Sequence, residues 1–145
     1  MKIIYGLIVL SMLMTAACDL EKECSGTVSA VYTIGSSVAG DFNVSNVAAT
    51  ANVLTSDCEA LPAGDSANET IDNITRVGNT ITLTESSEAI PMSVNGTSVE
   101  EFSRTQSISG CTITLVMTGT LHTTDNTIET QGAFAAKALT CDGAL

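Results

Sequence analysis

The residues of this chain most able to do chemistry are its cysteines. There are five, at Cys18, Cys24, Cys58, Cys111 and Cys141. A thiol can be acylated, be oxidised to a disulfide or bind a metal ion. No two of the five stand in the C-x-x-C spacing of zinc sites, so we expect no metal. An odd number also means that pairing within the chain leaves one thiol over.

Side chains that could catalyse a reaction are scarce. His122 is the only histidine, and no serine stands in a G-x-S-x-G setting, which argues against a Ser-His-Asp hydrolase. Glu100 and Glu101 are adjacent, and neighbouring residues of a strand alternate between its faces, so they are not expected to act together as acid and base. We therefore predict no catalytic residue, no cofactor and no enzymatic activity.

The N-terminal segment has the pattern of an export signal. Lys2 precedes an apolar run from Ile3 to Met14, and small residues follow up to Ala17. The run covers 12 positions, too few to span a hydrocarbon layer of ~30 Å comfortably. We therefore predict that residues 1–17 form a signal peptide, helical during export and then removed, rather than a permanent transmembrane helix.

The tetrad Thr15-Ala16-Ala17-Cys18 resembles the lipobox of bacterial lipoproteins. That resemblance implies that the Cys18 thiol receives diacylglycerol and that residues 18–24 form a short tether to the membrane. The alternative is an ordinary secretory signal cleaved near Ala17, with Cys18 left as an odd thiol. Cysteine parity favours lipidation, because the four remaining cysteines can then pair completely.

The lipobox resemblance also implies a compartment. Three acyl chains, at ~0.8 kcal/mol per buried methylene, make such anchoring effectively permanent. We expect a protein of the bacterial cell envelope, anchored in the inner or the outer membrane, with its domain in the periplasm or at the cell surface. Asp19 stands where an aspartate retains the lipoproteins of enteric bacteria in the inner membrane.

The charge of the chain excludes one class of partner. Sixteen acidic residues against five Lys and Arg give a formal net charge of −11 at pH 7. Such a surface repels phosphate backbones, so we expect no nucleic acid partner. A solvated acidic surface that keeps an exported protein soluble is the simpler explanation of this charge. The alternative is an acidic site for metal ions or cationic ligands, and no carboxylate spacing in the sequence supports it.

Alternating apolar and polar residues predict an all-β domain over residues 25–145. The pattern is clearest from Thr27 to Ile34, whereas residues 42–55 fit either a strand, which their Thr, Val and Asn content favours, or a short helix. Gly78-Asn79 closes a predicted hairpin, and the parity of Ile71 and Ile74 predicts a bulge between them. About eight strands with short turns form a sequential antiparallel meander, which tends to close into a barrel.

The best-defined register is that of the last hairpin. A two-residue turn at Asp125-Asn126 places apolar residues opposite one another on the two strands. The predicted pairs are Met117 with Phe134, Leu115 with Ala136, and Ile113 with Ala138.

In this meander four cysteines lie at one rim of the barrel. The favoured disulfides are Cys24 with Cys58 and Cys111 with Cys141, because each joins neighbouring strands. The predicted register turns Cys141 away from Cys111. Either a bulge near the C-terminus repairs this, or Cys24 pairs with Cys141 instead.

Stretches of the mature chain resemble small lipocalin-like or calycin-like bacterial lipoproteins. They are Cys58 to Gly64, the hairpin cue Gly78-Asn79-Thr80-Ile81-Thr82, and Gly110 to Leu115. The resemblance implies a barrel that binds a small apolar ligand. The alternative is a structural or protein-interaction module of the envelope, with a barrel too narrow to hold anything but its own side chains.

Overall fold

The computed structural model describes residues 23–58, 62–85, 87–108 and 111–138, and the predicted signal peptide and Cys18 lie outside this part. The described residues form eight strands and no helix. The strands are β1 Cys24–Thr33, β2 Phe42–Ser56, β3 Ser66–Val77, β4 Thr80–Glu85, β5 Glu88–Asn95, β6 Ser98–Ile108, β7 Cys111–His122 and β8 Thr127–Ala138. Residues 42–55 therefore belong to a strand.

Each strand pairs antiparallel with the next, and β1 pairs with β8 to close the barrel. The predicted all-β meander and its closure are thus confirmed. The N-terminal rim carries the start of β1, the β2–β3 connection, the β4–β5 turn and the end of β8. The opposite rim carries the β1–β2 connection, the turns at Gly78-Asn79 and Gly96-Thr97, and residues 123–126.

The core fills the barrel because apolar residues recur at every second position of most strands. On β1, Val28, Ala30 and Tyr32 are all buried, and on β4 the same holds for Ile81 and Leu83. The largest buried side chains each expose 2 % or less of their surface; they are Tyr32, Ile71, Ile74, Ile81, Leu83, Met92 and Phe134.

The predicted register of the last hairpin is wrong by two residues. Phe134 pairs with Leu115 and not with Met117, which pairs with Gly132. The reason is the connection, which spans residues 123–126 between the pair His122 and Thr127 rather than two residues only. A shift of two preserves the alternation of a strand, so the apolar residues still face the core.

The predicted bulge between Ile71 and Ile74 takes another form. Both residues are buried. In the ladder between β2 and β3, Ser45 pairs with Asn73 and the next pair is Val47 with Ile71. One residue on each strand therefore lies between these pairs without a partner in the ladder. Both strands therefore change face together, and no single-strand insertion is needed.

A bulge that the sequence pattern did not predict lies on β6. Its register with β7 shifts between Val99 and Phe102, and both Glu100 and Glu101 are exposed. The prediction that these two carboxylates alternate between faces is therefore wrong. A bulge adds a residue to one strand, so consecutive side chains no longer point in opposite directions.

Close backbone approach explains a glycine in β1. Gly26 pairs with Phe134 of β8, whose ring lies over it. A Cβ at Gly26 would lie 2.1 Å from the carbonyl oxygen of Thr55 and 2.7 Å from the Phe134 ring. Glycine therefore lets β1 and β2 bend together at this corner, beside their register shift at Thr27 and Val28.

The opposite rim is closed by the β1–β2 connection. Val38, in that connection, is fully buried. The buried guanidinium of Arg76 donates from Nη1 to the Val38 carbonyl oxygen at 2.7 Å and from Nε to the Gly78 carbonyl oxygen at 2.9 Å. The charge-assisted bond to Val38 thus holds the loop across the end of the barrel, and the bond to Gly78 fixes the guanidinium at the β3–β4 turn.

Candidate functional site

The barrel interior is where an apolar ligand would bind. A void large enough for a small molecule would leave the side chains around it accessible to water. Instead, inward residues from Val28 on β1 to Phe134 on β8 are almost completely buried by one another. In the part of the barrel that is described, the core side chains themselves therefore fill the space.

At the N-terminal rim, the predicted disulfide between Cys24 and Cys58 is present, with the two Cα atoms 5.2 Å apart. Beside it, the Ser25 N–H donates to Asp57 Oδ1 at 2.7 Å and the Asp57 N–H donates to the Ser25 carbonyl oxygen at 3.0 Å. These bonds fasten the end of β2 to the start of β1 over several consecutive residues.

The alternative pairing of Cys24 with Cys141 is wrong, since Cys24 is bonded to Cys58. The backbone of Cys111 pairs with Ala138, at the end of β8 on the same rim. Cys141 lies outside the described residues, so the disulfide between Cys111 and Cys141 stays a prediction.

A shallow cleft of about 440 Å³ lies beside the disulfide on the outer wall. Its lining is mixed and includes Glu23, Ser25, Asp57, Thr112 and Thr114. The ligand atoms of Cys24, Asp57 and Cys58 lie within 4.8 Å of one another, the spacing of a metal site. Because the two sulfur atoms are bonded to each other, only the Asp57 carboxylate offers a ligand here.

His122 has a partner on the neighbouring strand. Its Nε2 lies 3.0 Å from Oε1 of Glu129, and both side chains are more than a third exposed. His122 is therefore a surface residue at the opposite rim.

A group of polar side chains faces the interior where strands β3 and β4 approach the N-terminal rim. Glu85 ends β4, two positions after Leu83 on the inward face, and Glu69 precedes Ile71 by two on β3. The two carboxyl groups hydrogen-bond each other, and we call them the inner carboxyl pair. The Asp72 N–H, at the position that the β2–β3 pairing skips, donates to Glu85.

The surroundings of Glu85 favour its neutral form. Burial, followed by the hydrogen bond to Glu69 and the charges of Glu69 and Asp72, raises the pKa of Glu85 from 4.5 to about 7. The N–H of Asp72 opposes this rise, because it stabilises the carboxylate. Near neutral pH a large fraction of Glu85 therefore keeps its proton.

Two buried hydroxyls belong to the same group. Burial raises the pKa of Tyr32 far above its ordinary value, the hydrogen bond between its hydroxyl and that of Thr130 opposes this, and the charges of Glu69 and Glu85 add to it. The oxygen atoms of both hydroxyls and Oε1 of Glu85 are buried. We call Tyr32, Glu69, Glu85 and Thr130 the inner polar cluster.

Sequence reasoning missed the inner polar cluster and Arg76. The signal was present in the strand parity, since Glu85 continues the inward positions of Ile81 and Leu83, as Thr130 continues that of Ile128. A polar residue at an inward position is the observation to look for, because burial without a partner lowers stability.

Comparison with known proteins gives no relative: no family model, no curated protein and no solved structure matches this chain. The barrel of eight antiparallel strands is compatible with a lipocalin-like fold. Within the described residues, no helix is long and apolar enough to cross a membrane.

Proposed function

We propose that this chain is a lipid-anchored protein of the bacterial cell envelope whose barrel serves as a structural or protein-interaction module, without enzymatic activity. The filled interior is the observation that favours this function over transport of an apolar ligand. A core of side chains that are almost fully buried leaves no space for a lipid-sized molecule, which needs a pocket of roughly 300 Å³ or more.

Two features of the chain support the anchor. The lipobox-like tetrad ends at Cys18, only six residues before β1 begins at Cys24. The disulfide between Cys24 and Cys58 uses two of the five cysteines, and a second one between Cys111 and Cys141 would leave Cys18 as the odd thiol. A short tether at the N-terminal rim would hold that rim towards the bilayer and direct the opposite rim away from it.

Metabolic labelling with palmitate tests the anchor. The wild type should incorporate label and partition into detergent, whereas Cys18→Ala should do neither. Cys24→Ser is the matched control, because it removes a thiol six positions away and should keep the label. Labelling of Cys18→Ala, or no labelling of the wild type, would contradict the anchor.

Titration with a fluorescent fatty acid tests the filled interior. The purified full chain should give no saturable signal, and native mass spectrometry should find the chain without a bound lipid other than its anchor. Saturable binding of one fatty acid per chain would instead support the carrier function implied by the lipocalin-like resemblance.

A further inference from the structure

The charged residues of the barrel wall are concentrated on one side. Strands β1, β2 and β7 contain no Asp, Glu, Lys or Arg, and β8 contains only Glu129 and Lys137. Each of β3, β4, β5 and β6 carries at least one carboxylate, and β6 carries Glu100 and Glu101 together at its bulge. Because β8 closes the barrel onto β1, the strands β7, β8, β1 and β2 are neighbours. We call their outward faces the neutral wall.

The neutral wall exposes apolar side chains. Of the large apolar residues in the described part of the chain, Leu54 on β2 and Val116 on β7 expose 51 % and 37 % of their surface. Leu54 lies between the ladder partners of Thr27 and Val28, where the register shifts, so it has no partner on β1 and projects outward. Exposed apolar residues on a surface without charge indicate a site of interaction.

A cleft of about 480 Å³ lies in the neutral wall beside Leu54. Leu54 lines one edge of this cleft, and Thr118 on β7 lines the other. Gly132 and Ala133 on β8 lie between them and give the cleft its depth, because neither has a side chain beyond Cβ. Every residue that the described chain contributes to the lining is uncharged. A projecting leucine next to a hollow of small residues can fit a second copy of itself about a two-fold axis.

We propose that the neutral wall binds the neutral wall of a second copy of this chain, with Leu54 of each copy in the cleft of the other. This pairing rests on the proposed role of the barrel as an interaction module and names its partner. Charge selects this face, since each copy has a formal net charge of −11. Contact through β3 to β6 would bring carboxylates together, whereas contact through the neutral wall leaves them on the two far sides. Copies anchored in one membrane would also meet at a raised local concentration.

Sedimentation velocity of the purified full chain tests the pairing, in non-ionic detergent with micelles in excess over protein. The wild type should form a reversible dimer whose fraction grows with protein concentration. Raising the salt from about 0.05 M to about 0.5 M should strengthen the dimer, because salt screens the repulsion between the two acidic copies. A chain that stays monomeric up to about 1 mM, or a dimer that weakens with salt, would overturn the proposal.

Variants locate the contact. Leu54→Glu should raise the dissociation constant of the dimer at least about 10-fold, because it buries a carboxylate at the centre of the contact. Val77→Glu is the matched control, since Val77 is 71 % exposed at the opposite rim, outside the neutral wall, and the change adds the same charge. An equal effect in both variants would refute the contact. Adding Ala133→Lys to Leu54→Glu should restore part of the affinity, and no restoration would overturn the two-fold arrangement.

Photo-crosslinking in intact cells identifies the occupant of the cleft and needs no change at Leu54. A photoreactive amino acid at Gln131, an exposed residue of the cleft lining, should give an adduct of twice the mass of the chain. An adduct with a lipid or with another protein in its place would overturn the second copy as occupant. Palmitate labelling tests the anchor separately. A labelled but monomeric chain would therefore refute the pairing alone, and an unlabelled dimer would refute the anchor alone.

Discussion

The substitution Glu85→Gln should change how the stability of the barrel depends on pH. Below pH 4.5 this carboxyl is neutral in both the folded and the unfolded chain. Between pH 4.5 and about 7 the unfolded chain ionises Glu85 while the folded chain keeps it protonated, so the wild type loses stability as the pH rises. At about 1.4 kcal/mol per pH unit, reduced for solvent screening of the carboxyl, the total loss is roughly 1–2 kcal/mol, and it levels off above about pH 8.

Glutamine cannot ionise, but its amide can donate to Glu69 and its carbonyl oxygen can accept from the Asp72 N–H. Relative to the wild type, the variant should therefore gain roughly 1–2 kcal/mol of stability between pH 4.5 and 7.5. Urea unfolding at four pH values measures this difference. Glu101→Gln, which changes an exposed carboxylate, should run parallel to the wild type. Parallel curves for Glu85→Gln would refute the raised pKa and the inner carboxyl pair.

Three further predictions concern the covalent and backbone framework. Replacing Cys24 and Cys58 together by serine opens a loop with a sequence separation of 34, and urea unfolding should then give a loss of about 4 kcal/mol. A reductant should remove this difference between the wild type and the variant, and a loss under 1 kcal/mol would contradict the prediction. Gly26→Ala should lower the free energy of unfolding by about 1–3 kcal/mol, because its Cβ would meet a backbone oxygen at 2.1 Å. Gly40→Ala is the control, because no atom lies within 4 Å of a Cβ at that position. Equal losses of stability in the two variants would show that crowding is not the cause. Arg76→Lys should lower the free energy of unfolding by about 1.5–3 kcal/mol, because lysine cannot make both hydrogen bonds. Amide hydrogen exchange in the β1–β2 connection should also become faster. Unchanged exchange there would show that Arg76 does not hold the loop.

The sequence predicted those parts of the fold that follow from alternation and short turns. On β1, every second residue from Val28 onwards is apolar and buried, and Gly78-Asn79 leaves little choice of pairing, since Val77 does pair with Thr80. The Cys24 and Cys58 disulfide followed from the order of the strands. Each inference needed only local pattern and the rule that successive strands are neighbours.

Features that depend on the three-dimensional arrangement of the strands were either not predicted or predicted at the wrong residues. The length of the last turn cannot be deduced from Asp125-Asn126, because a connection of two or four residues keeps the same faces inward. The bulge at Glu100 depends on how β6 must bend to meet β7. Glu69 and Glu85 lie on different strands, so the parity of each predicts burial, but parity alone does not predict that their side chains meet.

The disulfide at the first residue of β1 also has a mechanical consequence. β1 is bonded to β8 along its whole length and to β2 along most of it. A force that pulls on residue 23 cannot peel β1 away from β2 one hydrogen bond at a time, because the first link it meets is covalent. The force is therefore shared by both strands from the start, and the barrel unfolds under it only when several strand ladders break together.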